Sequence, residues 1–145
     1  MKTKILIGLF FAAVMGMLLE LPGAASAGGV VVIANKNVSA SSLSIEEVKN
    51  IFLSKKTQWR DGSKIEFVAL ESGATQDDFL SSYLQKTSSQ YDRYFRTLVF
   101  TGKGKAPRTF STEAEIVSYV SSTAGAIGYV SSETNTRSTK VINVN

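Results

Sequence analysis

Residues 65–80 read IEFVALESGATQDDFL, a short apolar run that passes through a glycine-containing turn into an amphipathic segment. The run IEFVAL at 65–70 has the length and the β-branched content of a buried strand. The apolar residues after the turn recur at the intervals of one helix face: Phe79, Leu80, Tyr83 and Leu84. The stretch therefore predicts a strand, a tight loop and a helix, which is the repeating unit of an α/β domain.

The flanking sequence continues this alternation in both directions. Upstream, GVVVIA at 29–34 predicts a buried strand of the kind found in parallel sheets. Ser44 and Glu47 then form the S-x-x-E capping box that opens a helix, and Thr112 and Glu115 repeat that pattern downstream. Three further elements are predicted downstream of the central stretch: a helix that begins at Ser88 or Ser89, a strand at 125–130 and a strand at 140–144. The fold class predicted is α/β, with a mostly parallel sheet flanked by helices.

Residues 1–27 have the organisation of a cleavable secretory signal peptide. Lys2 and Lys4 precede an uncharged apolar run at 5–19, and the tripeptide ASA, which ends at Ala27, supplies the cleavage pattern. The alternative is an uncleaved membrane anchor, but the run is shorter than the roughly 20 residues that span a bilayer. We therefore expect cleavage after Ala27, a single mature domain at 28–145 without a stable membrane anchor, and a periplasmic or secreted location.

The composition restricts the chemistry available to the chain. Because the sequence contains no Cys and no His, it lacks thiolate chemistry, the commonest general base and the commonest metal ligand. Ser and Thr are abundant but have no evident activating base, so we expect no enzymatic activity, no cofactor and no metal. The net charge of +4 is mild and the longest basic run is Lys55-Lys56, which argues against a nucleic-acid partner.

The turn at 72–75, Ser-Gly-Ala-Thr, is the strongest candidate for a binding site. It connects a predicted strand to a predicted helix, and the first N–H groups of a helix lack partners within the helix and carry the positive end of its dipole. Together with the hydroxyls of Ser72 and Thr75, they would form a cradle for an anion. The alternative is structural, since a Ser or Thr before a helix is usually its N-cap.

Three other features have both a functional and a structural interpretation. Arg93 and Arg96 lie three residues apart on one helix face, where they would either contact a ligand or remain surface charges. The glycine-rich basic residues 101–105, TGKGK, do not match the G-x-x-x-x-G-K-[ST] phosphate loop and therefore predict a flexible, solvated loop. Trp59 would either contact a ligand or pack in the interior.

Three segments taken in order resemble the phosphate-type substrate-binding proteins of ABC transporters, a branch of the type II periplasmic binding proteins: IFLSKKTQWRDGSKIEFVALESGATQDDFLSSYL at 51–84, FTGKGKAPRTF at 100–110 and GAIGYV at 125–130. The family segment IF-G-K-x-x-x-W-x-D-G is matched with Ser54 in place of the usual Gly. The family loop S-G-T-T-x-x-F is matched with Ala74 where Thr is common. The resemblance covers nearly all of 30–130.

This resemblance implies a single α/β lobe of a two-lobed fold, with a loop that binds inorganic phosphate or a similar oxyanion. It transfers that role to Ser72, Gly73 and Thr75, while Glu71 would repel an anion and the arginine often found before this loop is absent. The predicted function is an extracytoplasmic phosphate-binding protein without catalysis. Its expected protein partner is a transporter permease or a second copy of the chain. The alternative is a secreted structural or protein-interaction module that keeps the fold but binds no ligand.

Overall fold

The computed structural model describes residues 29–145, so the predicted signal peptide at 1–27 lies outside the described residues. Strands and helices alternate along the chain as follows: β1 (Val30–Ala34), β2 (Ser42–Leu43), α1 (Ile45–Phe52), β3 (Glu66–Leu70), α2 (Ala74–Phe79), a π-helical turn (Leu80–Leu84), α3 (Ser88–Phe100), β4 (Arg108–Phe110), α4 (Glu113–Ser122), β5 (Ala126–Ser131) and β6 (Lys140–Val144). In this part of the chain, no helix has both the length and the apolar character needed to cross a membrane.

The strands form one sheet of six in the order β2-β6-β1-β5-β3-β4. Strand β1 pairs antiparallel with both β5 and β6, whereas the pairs β2–β6, β5–β3 and β3–β4 are parallel. The predicted α/β fold with a sheet flanked by helices is therefore confirmed, and the sheet is mixed, with three of its five strand pairs parallel. The expectation that residues 29–34 pair in parallel is wrong, because their apolar run reflects burial of the strand and carries no information about the direction of its neighbours.

The helix starts follow the predicted capping residues closely. The Ser44–Glu47 capping box is complete, with hydrogen bonds in both directions. At α4 only half of the predicted box forms, because Thr112 caps the helix while the Glu115 carboxylate accepts a bond from the hydroxyl of Ser111 at 3.4 Å. Helix α3 begins at Ser88 as predicted, and its N-cap is Thr87.

An aromatic cluster at the centre of the core holds β3, β5 and the first helices together. The rings of Phe79 and Tyr129 stack at 3.8 Å, and Phe52 packs edge-on against both of them. Trp59 is also buried and donates a hydrogen bond of 3.0 Å from Nε1 to the carbonyl of Gly125, so its role in the structure is packing. Phe79 lies in α2 and Tyr129 in β5, so the cluster connects α2 to the sheet.

Candidate functional site

The segment Ser72–Thr75 follows the carboxyl end of β3 and leads directly into α2. Gly73 is the N-cap of α2 and has φ 109° and ψ 174°, a backbone conformation that favours glycine. No side chain caps this helix, so the interpretation of Ser72 or Thr75 as an N-cap is wrong. Within residues 29–145, neither hydroxyl makes a hydrogen bond, and the first N–H groups of α2 have no acceptor earlier in the helix. The segment therefore presents a group of free donors around Gly73.

Three hydrogen bonds fix the two ends of this segment. The buried side chain of Gln76 donates from Nε2 to the carbonyl of Leu70 at 2.8 Å, and the N–H of Leu70 donates to the Tyr129 hydroxyl at 3.0 Å. The N–H of Glu71 donates to the carbonyl of Phe110 in β4 at 2.9 Å. Burial raises the pKa of the Tyr129 phenol well above its ordinary value, so the hydroxyl stays neutral. Because these bonds leave the segment little freedom, its donors are pre-organised.

Sequence reasoning missed Gln76 and Tyr129, although both carried a signal. Gln76 is a polar residue three positions before Phe79, so it lies on the apolar face of the helix, where a buried amide must find partners. Tyr129 lies in the middle of a strand that is otherwise apolar and glycine-rich, where a buried phenol likewise needs a partner.

The charges on the loop and in the first turn of α2 are negative. Glu71 is exposed, and Asp77 lies in the first turn of the helix, where it accepts a hydrogen bond of 2.7 Å from the Ser88 hydroxyl. Asp78 follows on the same turn. The loop therefore offers hydroxyl and N–H donors to an anion but carries no cation of its own, and the neighbouring carboxylates oppose anion binding.

A cleft of about 670 Å³ opens beside this loop, between α3, the carboxyl end of β3 and residues 106–109, which lead into β4. Arg96 lines it together with Glu71 and Gln76, whereas Arg93 lines a separate groove that also contains Lys103. The two predicted arginines are therefore not brought to one site, and only Arg96 shares a cleft with residues next to the loop. The rest of the cleft wall includes apolar side chains of α3, and Phe100 at its rim is 92% exposed.

Residues 25–143 match the family described as the PBP superfamily domain. The chain belongs to the PBP superfamily. No curated protein matches this PBP domain in sequence.

Solved structures match this PBP domain over 81% of its chain. They include an ABC-type phosphate transport receptor from Vibrio cholerae, with a TM-score of 0.65 and 18% identity. PstS from Borrelia burgdorferi gives a TM-score of 0.64 and 15% identity, and a phosphate-binding protein from Stenotrophomonas maltophilia gives 0.60 and 23%. The alignments cover 46%, 47% and 39% of those chains, so the PBP domain described here spans less than half of each. These likenesses confirm the predicted fold, a lobe of the PBP type.

Proposed function

We propose that this chain is an extracytoplasmic substrate-binding protein for phosphate or a similar oxyanion, related to the substrate-binding components of ABC transporters. The observation that carries the proposal is the pair of hydroxyls on either side of the helix N-cap Gly73, those of Ser72 and Thr75, which make no hydrogen bond within residues 29–145. The structural likeness to the Vibrio cholerae phosphate transport receptor supports the ligand class. The proposal includes no catalysis, since a sequence without His and Cys offers no evident activated nucleophile.

In this proposal the ligand contacts come from hydroxyls and backbone groups. Ser72 and Thr75 donate from their hydroxyls, and Gly73 lets the anion approach the backbone because it has no side chain. Arg96 is the proposed source of positive charge, since it lines the cleft that reaches Glu71 and Gln76. Arg93 has no role in this site, because it lines a different groove.

The proposed setting is outside the cytoplasm, after removal of residues 1–27 and folding of 28–145 as one domain. A transporter permease, or a second copy of the chain, is the proposed protein partner.

One lobe covers only one side of an anion, which therefore keeps much of its hydration. Charge-assisted hydrogen bonds are strongest where water is excluded. We therefore expect the isolated monomer to bind phosphate at roughly millimolar Kd, about −4 kcal/mol. Micromolar binding by a strict monomer in light scattering and calorimetry would contradict this expectation.

The second candidate is an extracytoplasmic protein-interaction module that keeps the fold and binds no oxyanion. Two observations favour it: the carboxylates of Glu71 and Asp77 next to the loop, and the exposure of Phe100 to 92% at the rim of the adjacent cleft. Large exposed apolar side chains that are grouped together mark protein-interaction sites. A monomer that binds neither phosphate nor sulfate would make this the better interpretation.

The deciding experiment is a phosphate titration of the variants Ser72→Ala and Thr75→Ala. NMR spectra recorded at constant ionic strength measure the affinity of each variant. Each substitution removes a donor to a charged ligand, so each should weaken binding by about 1–3 kcal/mol. Thr112→Ala is the matched control, because this hydroxyl caps α4. The control should leave phosphate affinity unchanged while it lowers the free energy of unfolding by about 1 kcal/mol. Unchanged affinity in both Ser72→Ala and Thr75→Ala would refute the proposed site.

A further inference from the structure

A second cleft, of about 610 Å³, lies at the end of β3 opposite to the Ser72–Thr75 loop. Its lining includes Glu66 and Arg108, which are the first residues of β3 and β4, whereas the loop follows the last residue of β3. Five cationic side chains line this basic cleft: Lys56, Lys64, Lys103, Lys105 and Arg108. The basic cleft meets the cleft that Arg96 lines at Ala106 and Pro107, which line both, but it contains none of residues 70–76 around the proposed phosphate loop.

The positive charge in the basic cleft is only partly compensated. Lys64 pairs with Glu66 at 2.8 Å, and Lys56 pairs with Glu47 at 3.3 Å. Lys103, Lys105 and Arg108 form no ion pair within the described part of the chain, and the Arg108 guanidinium lies 5.2 Å from the centre of the Tyr119 ring.

The basic cleft is more positive than the domain as a whole. The chain has 16 Lys and Arg and 12 Asp and Glu, of which Lys2, Lys4 and Glu20 precede the described residues. Residues 29–145 therefore carry 14 positive and 11 negative charges, a net charge of +3. The lining of the basic cleft holds five cations and one carboxylate, Glu66, which is an excess of four positive charges in one place. Such a local excess attracts anions.

The segment that contributes Lys103 and Lys105 is held against α3. The N–H of Lys103 donates to the carbonyl of Leu98, and the N–H of Gly102 donates to the carbonyl of Val99, both at 3.0 Å. A Cβ at Gly104 would lie 2.7 Å from Leu98 Cδ2, so glycine permits this close approach. The loop predicted to be flexible is therefore anchored at its start, which fixes the backbone from which the two lysines extend.

We propose that the basic cleft binds a soluble oligophosphate, that is, a short chain of linked phosphate groups. Its cations come from three separate segments, 54–57, 64–67 and 103–108, so the cleft presents several positive charges to one ligand. A chain of phosphate groups carries several negative charges that match them, and the volume of the cleft is typical of ligand pockets.

The test is calorimetric titration of the protein with sodium tripolyphosphate. The double variant Lys103→Gln and Lys105→Gln should bind about tenfold more weakly. The matched control, Lys36→Gln with Arg137→Gln, removes the same charge from exposed positions outside the basic cleft and should keep affinity within about twofold. Raising the salt from about 0.05 to 0.2 M should weaken wild-type binding. Because Lys103 and Lys105 are exposed, thermal unfolding of the cleft variant should match that of the wild type.

Several outcomes would overturn this proposal. Equal loss of affinity in the cleft variant and the control would show that only the overall charge matters. Loss of tripolyphosphate binding in Ser72→Ala with Thr75→Ala would place the ligand at the loop instead. Binding to phosphatidylglycerol vesicles without binding to tripolyphosphate would identify a membrane surface as the ligand. Failure of the phosphate loop proposal leaves these outcomes unaffected, since each site has its own variants.

Discussion

The backbone N–H of Leu70 donates a hydrogen bond of 3.0 Å to the phenolic oxygen of Tyr129, between the end of β3 and the middle of β5. The backbone pairing of these two strands joins only Glu66 with Ala126 and Phe67 with Ile127. The Tyr129 side chain thus provides a connection where the strands no longer pair. This connection lies directly before the proposed phosphate loop, so the loop depends on a buried residue of β5.

Replacing Tyr129 with Phe should destabilise the domain by about 1–3 kcal/mol, because the Leu70 N–H would be left buried without an acceptor. The free energy of unfolding in urea measures this change. Tyr83→Phe is the control, since Tyr83 also packs on Phe79 but its hydroxyl makes no hydrogen bond among residues 29–145. The control should change stability by less than about 0.5 kcal/mol. Equal effects of the two substitutions would show that the Leu70 bond contributes little.

Replacing Gly73 with Ala should cost about 1–3 kcal/mol, because φ 109° with ψ 174° is a region open almost only to glycine. Nothing lies within 4 Å of a Cβ built at this position, so the cost would come from the backbone and not from a clash. Gln85→Gly provides the opposite case, because Gln85 already has φ 54°. Urea unfolding measures both variants, and Gln85→Gly should leave the free energy of unfolding nearly unchanged. A fully stable Gly73→Ala variant would contradict the backbone geometry of the loop.

Replacing Glu71 with Gln should strengthen phosphate binding up to about fivefold at low salt, because it removes an exposed negative charge next to the loop. The gain should fall as the salt concentration rises. Glu133→Gln removes the same charge from an exposed site outside the loop and should leave affinity unchanged. If Glu71→Gln weakened binding instead, the carboxylate would be a ligand contact and not a source of repulsion.

Replacing Glu47 with Gln should reduce the pH dependence of stability. The hydrogen bond from the Ser44 N–H, followed by Lys56, lowers the pKa of Glu47 below its ordinary value of 4.5. A lowered pKa in the folded state adds stability above about pH 4.5, and this contribution is lost as the pH falls through the folded value. The variant should therefore be less stable than the wild type near neutral pH, and this difference should be smaller near pH 3.

Urea unfolding at both pH values measures this difference. Glu46→Gln is the control, because Glu46 is exposed in the same first turn and forms no ion pair within the described residues. A gap between wild type and Glu47→Gln that persists unchanged in acid would show that ionisation of Glu47 is not its source.

Much of the fold followed from local signals in the sequence. The Ser44 capping box, the apolar run at 65–70 and the start of α3 at Ser88 were predictable, because helix caps and periodicity depend on neighbours in sequence. Strand β4 was not predicted, since Arg108–Phe110 is mostly exposed and pairs only with β3. The direction of β1 was equally hidden, because strand pairing joins distant residues.

The candidate site was predictable in part. Ser72, Gly73 and Thr75 were recognisable as a loop between a strand and a helix, but the residues that hold the loop were not, because Tyr129 comes from a distant strand. The separation of Arg93 from Arg96 depends on the segments that pack beside each one, and helix spacing does not determine it.

The antiparallel position of β1 has a consequence for how the chain folds. Val30 pairs with Ser131 and Val32 with Ile142, so the first strand of the domain is completed only by its last two. Contacts so distant in sequence slow folding, because the chain must lose loop entropy before they form. Until residues 126–144 have been synthesised, β1 has neither neighbour. The nascent chain therefore lacks the strand pairs of β1 while the helices and strands between them are already outside the ribosome.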